Sequence, residues 1–243
     1  VKTREGRPIK IEGNSLSGVS RGGRSAQAEA SVLSLYDNAR LRSARVGAQK
    51  KSRIDWTELD NQVIAKLSEV ASAGGQIRIV SNTILSPSTK AVIERFRAKY
   101  PTAQHVVYDQ TSYYGMLKAN EASFGTAMIP SYDFSKANVI VSVGADFLGT
   151  WLSPVEFSMQ YAKTREVNEQ KREMSRHFQF ESLFSMTGAN ADHRITIKPS
   201  EAGAVVIQLY NLIASKAGRQ TVSGGTDKPF LQKAADELWA SRG

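Results

Sequence analysis

Three histidines are the side chains of this 243-residue chain best suited to acid–base or metal chemistry at neutral pH. His105, His177 and His193 are far apart in the sequence, and no two of them have the spacing of paired metal ligands. The chain contains no cysteine, which excludes disulfides, thiolate metal sites and iron–sulfur clusters bound by these residues. We therefore interpret the histidines as single exposed or hydrogen-bonded residues. We predict no catalytic, cofactor-binding or metal-binding residue.

Two loops rich in hydrogen-bonding groups adjoin predicted strands, where α/β folds place their ligands. Gly144–Trp151 follows a short buried strand, and its Asp146 is either a ligand group or a turn and helix cap. The second loop is Thr187–Arg194. The first loop also carries three bulky apolar side chains: Phe147, Leu148 and Trp151. Residue types alone leave both loops open as binding loops or polar turns, and we predict that the three apolar side chains fill the crevice.

A third loop, Ser81–Thr89, lies between a predicted strand and a helix N-terminus, which is a position suited to phosphate. The loop contains no glycine, so a close backbone approach to a phosphate would be obstructed. Neither a Gly-x-Gly-x-x-Gly fingerprint nor a P-loop occurs in the chain. Structural capping is therefore the favoured interpretation, with phosphate binding as the alternative.

Alternating helices and strands are predicted to position these loops. Apolar stripes at helical spacing alternate with short apolar runs, which indicates a mostly parallel sheet with helices on both faces. The predicted helices are Ala26–Tyr36, Thr89–Tyr100, Tyr114–Phe124 and Phe230–Trp239, with others beginning at Asp55, Ser153 and Pro199. The predicted strands are Gln76–Val80, Gln104–Tyr108, Asn138–Val143, His177–Phe184 and Arg194–Lys198. Asp55 with Glu58, and Ser153 with Glu156, have the spacing of capping boxes.

The net charge of +9 is concentrated near the amino-terminal end. Residues 1–53 contain 12 Lys and Arg against four Asp and Glu, whereas residues 54–243 contain 20 against 19. Such a basic flank indicates an acidic partner surface, anionic lipid headgroups or nucleic acid, or it is simply solvated. It lacks the interleaved aromatic residues and groove-reading motifs of nucleic-acid binding. We therefore predict no nucleic-acid partner.

The same patterns divide the chain into three predicted regions. Residues 1–53 form a basic region with a hairpin at Val1–Ile11, a loop at Asn14–Gly23 and a connector at Arg40–Arg53. Residues 54–218 form the α/β domain, and residues 219–243 form a linker and the start of a further α/β segment. The last predicted helix has no strand after it, so we expect the chain to be a piece of a longer polypeptide.

Several segments resemble the molybdopterin oxidoreductase superfamily. Lys2–Asn14 resembles the hairpin that follows the first cysteines of that family's iron–sulfur region, and Ser20–Ala26 resembles the stretch with the last of those cysteines. Leu35–Arg42 and Ile54–Trp56 match the family's usual continuation. Asp192–Ala204 resembles the strand–Pro–helix segment that meets a nucleotide end of the pterin cofactor.

Three segments resemble more specifically the large iron–sulfur subunit of the bacterial alternative complex III: Gly144–Trp151, Ser153–Phe157 and Thr187–Arg194. That complex is a quinol-oxidising respiratory assembly. Its subunit joins a molybdopterin-type domain without molybdenum or pterin to a ferredoxin-like domain that carries the clusters. The resemblance extends over essentially the whole chain and implies that the chain belongs to the cofactor-less domain.

Departures from the molybdopterin pattern agree with that implication. Ser25 occupies the family's cysteine position, and a hydroxyl oxygen is a poor substitute for thiolate at an iron–sulfur cluster. Gly144–Phe147 replaces the family's Asn-Pro loop. No cysteine could ligate molybdenum, and no motif nominates a serine or aspartate in its place.

The resemblance also implies the molecular setting. This segment would hold no cofactor, whereas iron–sulfur clusters and haem c would lie elsewhere in the complex. The implied partners are the ferredoxin-like domain of the same polypeptide, a multihaem cytochrome c subunit and integral-membrane quinol-binding subunits. The implied location is the periplasmic face of the bacterial inner membrane, reached through those partner subunits.

Three functional hypotheses follow from the sequence. The first is a non-catalytic scaffold domain in a quinol-oxidising complex, with the basic flank as a docking surface for carboxylates or haem propionates. The second is an active molybdopterin-dependent oxidoreductase with an oxygen ligand to molybdenum. The third is a nucleotide-binding module, which only the alternation of strands and helices supports.

Overall fold

The computed structural model describes residues 1–47 and 52–242. Part of the predicted basic connector, residues 48–51, and the terminal Gly243 lie outside the described residues. Contacts divide the chain into two compact units. One consists of Val1–Tyr36 and Ser131–Gly243, and the other consists of Asp37–Pro130. The sequence-based boundaries at residues 53 and 218 stay a prediction.

The first unit begins with the predicted hairpin. Strands β1 (Lys2–Arg4) and β2 (Arg7–Lys10) pair in antiparallel fashion. Glu5 and Gly6 between them both have positive φ, as a tight hairpin turn requires. A loop then leads to helix α1 (Ala26–Ala30), which continues as a 3-10 helix over Ser31–Leu35.

The second unit opens with a hairpin where the sequence predicted an irregular connector. Strands β3 (Ala44–Val46) and β4 (Ser52–Ile54) pair in antiparallel fashion, with the buried Ala44 opposite the buried Ile54. Their six residues include three charged or polar side chains, so no apolar run marked them as strands. Ala44 and Ile54 are the two buried residues of the hairpin, and their burial is a tertiary property that such short segments do not indicate.

Two strand–helix pairs complete the second unit. Helix α2 (Trp56–Ser72) is capped by Asp55, whose carboxylate accepts a hydrogen bond from the Thr57 N–H. Next come β5 (Ile77–Ser81), α3 (Pro87–Lys99), β6 (Ala103–Val107) and α4 (Tyr114–Phe124). Strands β5 and β6 are parallel. Helix α3 begins two residues before the predicted start, because Ser86 caps it and Pro87 takes its first position.

The main sheet of the first unit contains three parallel strands. These are β7 (Val139–Val143), β8 (Arg176–Glu181) and β9 (His193–Thr196), in the order β7-β8-β9. The helices around them are α5 (Pro154–Arg165), α6 (Met186–Ala189), α7 (Ala202–Lys216) and α8 (Leu231–Ala240). The predicted α/β class with parallel pairing is confirmed, with the strands shared between two sheets.

Apolar clusters cover both faces of this sheet. On one face Phe178 and Phe180 of β8 pack with residues of β9, α7 and α8. On the other face Ile140 of β7 packs with Phe147 and with Phe157 and Tyr161 of α5. Because side chains alternate along a strand, β8 contributes its odd-numbered residues to the second face.

The predicted capping box at the start of α5 is wrong. Pro154 takes the first helical position as expected, but the Ser153 side chain makes no capping hydrogen bond. The Glu156 carboxylate is turned along the helix, where it accepts a hydrogen bond from the Gln160 side chain.

Among the described residues, no helix combines the length and the apolar character needed to cross a membrane.

Candidate functional site

The carboxyl ends of β7 and β8 bring the two predicted loops together. Asp146 follows β7, and Thr187 follows β8 at the start of α6. The Asp146 carboxylate accepts hydrogen bonds from the Thr187 N–H at 3.1 Å and from the Thr187 hydroxyl at 2.7 Å. The Thr187 hydroxyl oxygen in turn accepts the Leu148 N–H at 2.9 Å. We call this arrangement the Asp146–Thr187 clasp. In it, polar groups of the two loops form hydrogen bonds with one another.

Phe147, the residue after Asp146, is buried next to the clasp. Its side chain is 1% exposed, and its ring stacks on Phe134 with the ring centroids 4.4 Å apart. The rings of Tyr161 and His177 also contact it. Phe147 is thus buried, but a cavity of about 500 Å³ lined in part by Phe147 and Trp151 remains beside β7, so the filling of the crevice stays a prediction. Leu148 and Trp151, predicted to do the same, pack against this cluster but are only partly buried.

A row of buried polar residues runs along β8 on the same face. His177 and Gln179 are fully buried, and Glu181 is 3% exposed. The His177 Nε2 lies 3.3 Å from the Gln179 Oε1, and the Gln179 Nε2 donates to the Glu181 carboxylate at 3.2 Å. Central strands of parallel sheets usually carry apolar residues on both faces, so this row is unusual.

Glu181 ends the row at the carboxyl end of the strand. Its carboxylate accepts hydrogen bonds from the Ser185 hydroxyl and N–H and from the Arg194 guanidinium. Burial raises the pKa of Glu181, but these hydrogen bonds outweigh burial and hold the pKa below its ordinary value. A Cβ at Gly188 would overlap the Glu181 carboxylate, so the loop needs glycine there.

Tyr161 and His177 end the row at its other side. The Tyr161 hydroxyl donates to the Asn190 carbonyl at 2.9 Å and lies 3.2 Å from the His177 Nδ1. Burial raises the pKa of Tyr161 to about 12 and lowers the pKa of His177 to about 4. Both groups are therefore neutral at pH 7.

An ion pair holds this end of the row in place. Arg165 donates two hydrogen bonds to the Asp192 carboxylate, at 2.8 and 2.9 Å. The bond from Arg165 holds the pKa of Asp192 below its ordinary value. The same carboxylate accepts the His177 N–H at 2.8 Å, so the pair ties α5 to β8 and to the loop before β9.

The structure keeps the predicted single histidines apart. His177 and His193 lie on opposite faces of their sheet, because His193 is in register with Phe178. The His193 ring stacks on Phe178 and Phe230, and His105 lies 2.8 Å from the Ser81 hydroxyl. Within residues 1–47 and 52–242, no group of three or more His, Asp or Glu side chains could hold a metal ion.

The second unit contains a similar clasp. Thr83 follows β5 and Asp109 follows β6, and the Asp109 carboxylate accepts the Thr83 N–H at 2.7 Å and the Thr83 hydroxyl at 2.5 Å. The hydroxyl bond holds the pKa of Asp109 below its ordinary value. The Ser86 hydroxyl accepts the Thr89 N–H at 3.3 Å. The contacts of Ser81–Thr89 thus agree with structural capping, the favoured interpretation of this loop.

Ser25 and Ser20 have ordinary structural surroundings. The Ser25 hydroxyl caps α1 by accepting the Ala28 N–H at 3.1 Å. Ser20 lies in the spacing Gly-x-Ser-x-Gly at residues 18–22, which is typical of a nucleophile elbow. These residues form turns within the loop between β2 and α1, so the strand-to-helix geometry of an elbow is missing there.

The polar row was the feature that sequence reasoning missed. The signal was present as a polar residue at every second position of a predicted strand, His177, Gln179 and Glu181. Such alternation is also typical of a strand with one solvated face, so it could not by itself indicate burial.

Comparison with known proteins gives a fold but no close relative. No family model matches the chain, and a search of curated proteins found no match. Among solved structures the chain is similar to acetylene hydratase from Pelobacter acetylenicus, with 16% sequence identity and a TM-score of 0.52. The match covers 88% of this chain and 30% of that protein, so the chain spans less than a third of its length. The likeness is one of fold alone, and the matched part of acetylene hydratase shares the α/β fold of this chain.

Proposed function

We propose that the chain is a structural, cofactor-free domain of a respiratory, quinol-oxidising membrane complex of the alternative complex III type. In this role it supports electron transfer through neighbouring iron–sulfur and haem subunits without binding a redox centre. The observation that carries the proposal is the Asp146–Thr187 clasp. The groups best placed to bind a ligand at the strand ends bind one another, and the neighbouring Phe147 is buried in the aromatic cluster.

The donor set is a poor fit to the cofactors of the fold family. Ser25, at the position that resembles a cluster cysteine, uses its hydroxyl to cap α1. Asp146, a carboxylate in the loop after β7, is engaged by Thr187. Molybdenum or a cluster would have to displace these internal hydrogen bonds, which are made by partly buried groups.

The finer identity depends on the sequence resemblance. Gly144–Trp151, Ser153–Phe157 and Thr187–Arg194 resemble the large iron–sulfur subunit of alternative complex III, and hydrogen bonds of the clasp join the first of these segments to the third. We accordingly propose a ferredoxin-like domain of the same polypeptide, a multihaem cytochrome c subunit and quinol-binding membrane subunits as partners. We also propose a location at the periplasmic face of the inner membrane.

The basic hairpin gives this proposal a physical basis for docking. Arg4 and Arg7 are exposed and stand directly opposite each other across β1 and β2. Like charges opposite each other in a hairpin are destabilising, and a partner carboxylate between them would remove that repulsion.

Metal and pterin analysis tests the proposal against the alternative of an active molybdopterin enzyme. The chain is purified from its source cells within its assembly and then separated from its partners, with a molybdopterin enzyme taken through the same steps as the control. We expect molybdenum, tungsten and pterin at far below one per chain, and iron only with the partners. A stoichiometric metal or pterin bound to residues 1–243 would favour the alternative.

A further inference from the structure

Strand β7 lies at the edge of the main sheet and is paired on one side only. Within residues 1–47 and 52–242 its one partner strand is β8. The Gly144 N–H, directly after β7, donates to the Phe180 carbonyl of β8. Backbone groups of successive residues point to opposite sides of a strand, so the even-numbered residues of β7 face β8. The groups that face the open side are the N–H and C=O of Val139, Val141 and Val143.

The open side of β7 is a cavity of about 500 Å³ with apolar walls. On the face that carries α5, it is lined by Phe134 and Trp151 of the aromatic cluster. On the other face it is lined by Leu209 of α7 and Leu238 of α8. A strand in this cavity would place alternate side chains against the two walls. It would also provide hydrogen-bond partners for backbone groups that otherwise face an apolar space.

Helix α8 leads the chain from β9 towards the amino end of β7. It begins after Phe230, which stacks on His193, the first residue of β9. Near its end Glu237 pairs with Arg176, the first residue of β8, at 3.6 Å. The next residue, Leu238, lines the cavity beside β7. A strand that follows α8 would therefore start at the amino end of β7 and run parallel to it.

The hand of the crossover favours the edge of β7 over the outer edge of β9. Crossovers between parallel strands are right-handed in almost all cases. Helix α5 joins β7 to β8 on one face of the sheet, whereas α7 and α8 lie on the other face. A chain that returns from β9 to the open side of β7 reverses both the face and the direction, so the hand is kept. A strand beyond β9 would reverse the face alone and give a left-handed crossover.

We propose that a strand which follows α8 in the same polypeptide pairs in parallel with the open side of β7. This added strand binds the backbone of Val139, Val141 and Val143 and fills the cavity between Trp151 and Leu209. Its side chains are apolar on both faces, as is typical of a strand in a parallel sheet covered by helices. The pairing is independent of the proposed function, because it depends only on the sheet and on the path of α8.

Amide hydrogen exchange along β7 tests the pairing. The polypeptide is purified from its source cells and separated from its partners, and exchange is measured residue by residue by mass spectrometry with electron-transfer fragmentation. The amides of Ile140 and Ser142, which face β8, are the internal control. After correction for intrinsic rates, we expect the Val141 and Val143 amides to exchange within about fivefold of this control. Exchange more than about fivefold faster would overturn the proposal.

Residues 1–243 expressed alone show which segment covers the edge. In this shorter chain we expect the Val141 and Val143 amides to exchange at least about tenfold faster than in the source polypeptide, while Ile140 and Ser142 stay protected. Protection of Val141 and Val143 in the shorter chain would overturn the assignment to a strand after α8. A source polypeptide that ends at Gly243 would overturn it as well.

A proline substitution tests the same pairing if the shorter chain does not fold. In the source polypeptide, Val141→Pro removes one N–H that faces the added strand and leaves the bonds to β8 in place. We expect the Val143 amide to exchange about tenfold faster, with Ile140 unchanged. Val141→Ala, which shortens the side chain but keeps the N–H, is the matched control and should change the Val143 rate less than about twofold. Equal effects of the two substitutions would overturn the proposal.

Discussion

At the scale of single residues, the described structure uses carboxylates to close the ends of its sheets. Asp146 binds Thr187 across the main sheet, and Asp109 binds Thr83 across the second one. In each case one carboxylate accepts both the N–H and the hydroxyl of a threonine that follows the neighbouring strand. A carboxylate in this position takes the donors that an anionic ligand would need.

Thr187→Val tests the clasp. The substitution keeps the shape of the side chain but leaves the Leu148 N–H and the Asp146 carboxylate short of a partner in a partly buried place. We expect the free energy of unfolding to fall by about 1–3 kcal/mol, measured by urea denaturation of the full chain. Thr150→Val removes a longer, exposed hydrogen bond to the same carboxylate and should change stability by less than about 0.5 kcal/mol. Equal effects of the two substitutions would show that the clasp contributes nothing specific.

His177 predicts a pH dependence of stability. Burial lowers the pKa of His177 to about 4 in the folded chain, whereas the ordinary value is 6.5. Between these values the unfolded chain binds the additional proton, so the free energy of unfolding falls as the pH is lowered from 7 towards 4. We expect this residue to account for a loss of about 2 kcal/mol at pH 5 relative to pH 7.

His177→Gln isolates that contribution. Urea denaturation at pH 7 and pH 5 should show a smaller difference for this variant than for the unchanged chain, although the variant is less stable at pH 7. His193→Gln, at a partly exposed ring on the opposite face, should keep the full difference. A difference in His177→Gln as large as in the unchanged chain would contradict the assignment.

At the scale of elements, β8 has one apolar face and one polar face, and both are buried. Phe178 and Phe180 pack towards α7 and α8, whereas His177, Gln179 and Glu181 form the polar row towards α5. The row depends on the elements at its ends, because Tyr161 belongs to α5 and Ser185 begins α6. Fully satisfied polar networks fix a single arrangement of the elements that they join.

The packing of α5 against β7 and its loop gives a prediction at this scale. Phe147 is fully enclosed, so Phe147→Ala should lower the free energy of unfolding by about 3–5 kcal/mol. Trp151 contacts the same cluster but is only partly buried, so Trp151→Ala should cost clearly less. Urea denaturation of the two variants shows which substitution lowers the free energy of unfolding more. A larger loss for Trp151→Ala would mean that the partly buried Trp151 contributes more than the buried Phe147 to the packing of α5.

At the scale of the whole molecule, the basic flank, residues 1–53, carries positive charge that could bind an acidic partner surface. The exposed Arg4 and Arg7 face each other, and neither forms a salt bridge within the part of the chain that the structure describes. Arg24 is different, because it is paired with Glu12 and Glu29. The hairpin arginines are therefore better placed than Arg24 to bind partner carboxylates.

Charge reversal tests the flank. The double variant Arg4→Glu and Arg7→Glu should reduce recovery of the chain with its complex by about two- to tenfold at low salt, and less at high salt, because exposed pairs are screened. The matched control reverses two exposed cations outside the flank, Lys90 and Arg95, and should leave recovery unchanged. Unchanged recovery of the double variant at both salt concentrations would show that the flank is only a solvated surface. Reversals at Arg21, Arg40 and Arg42 extend the series.

The sequence by itself determined the local elements and their class. Asp55 and Pro154 mark helix starts, and Gly74 and Gly218 mark helix ends, because capping and backbone conformation depend on near neighbours. Apolar periodicity likewise predicted the parallel α/β class, and the bulky apolar side chain of Phe147 at the end of a strand predicted its burial. The lack of cysteine excludes thiolate ligands whatever the fold, because no other side chain supplies that donor.

Only the tertiary structure decided how the polar groups are used. Asp146 and Thr187 are 41 residues apart, and the sequence left Asp146 open as a ligand group or a cap. The burial of the polar row and the β3–β4 hairpin depend on the same kind of distant contact. The type of a side chain determines which hydrogen bonds it can form. Its actual partner depends on which strand ends the fold brings together. For this reason the sequence indicated where a site would be, and the structure showed that its hydrogen-bonding groups are already paired.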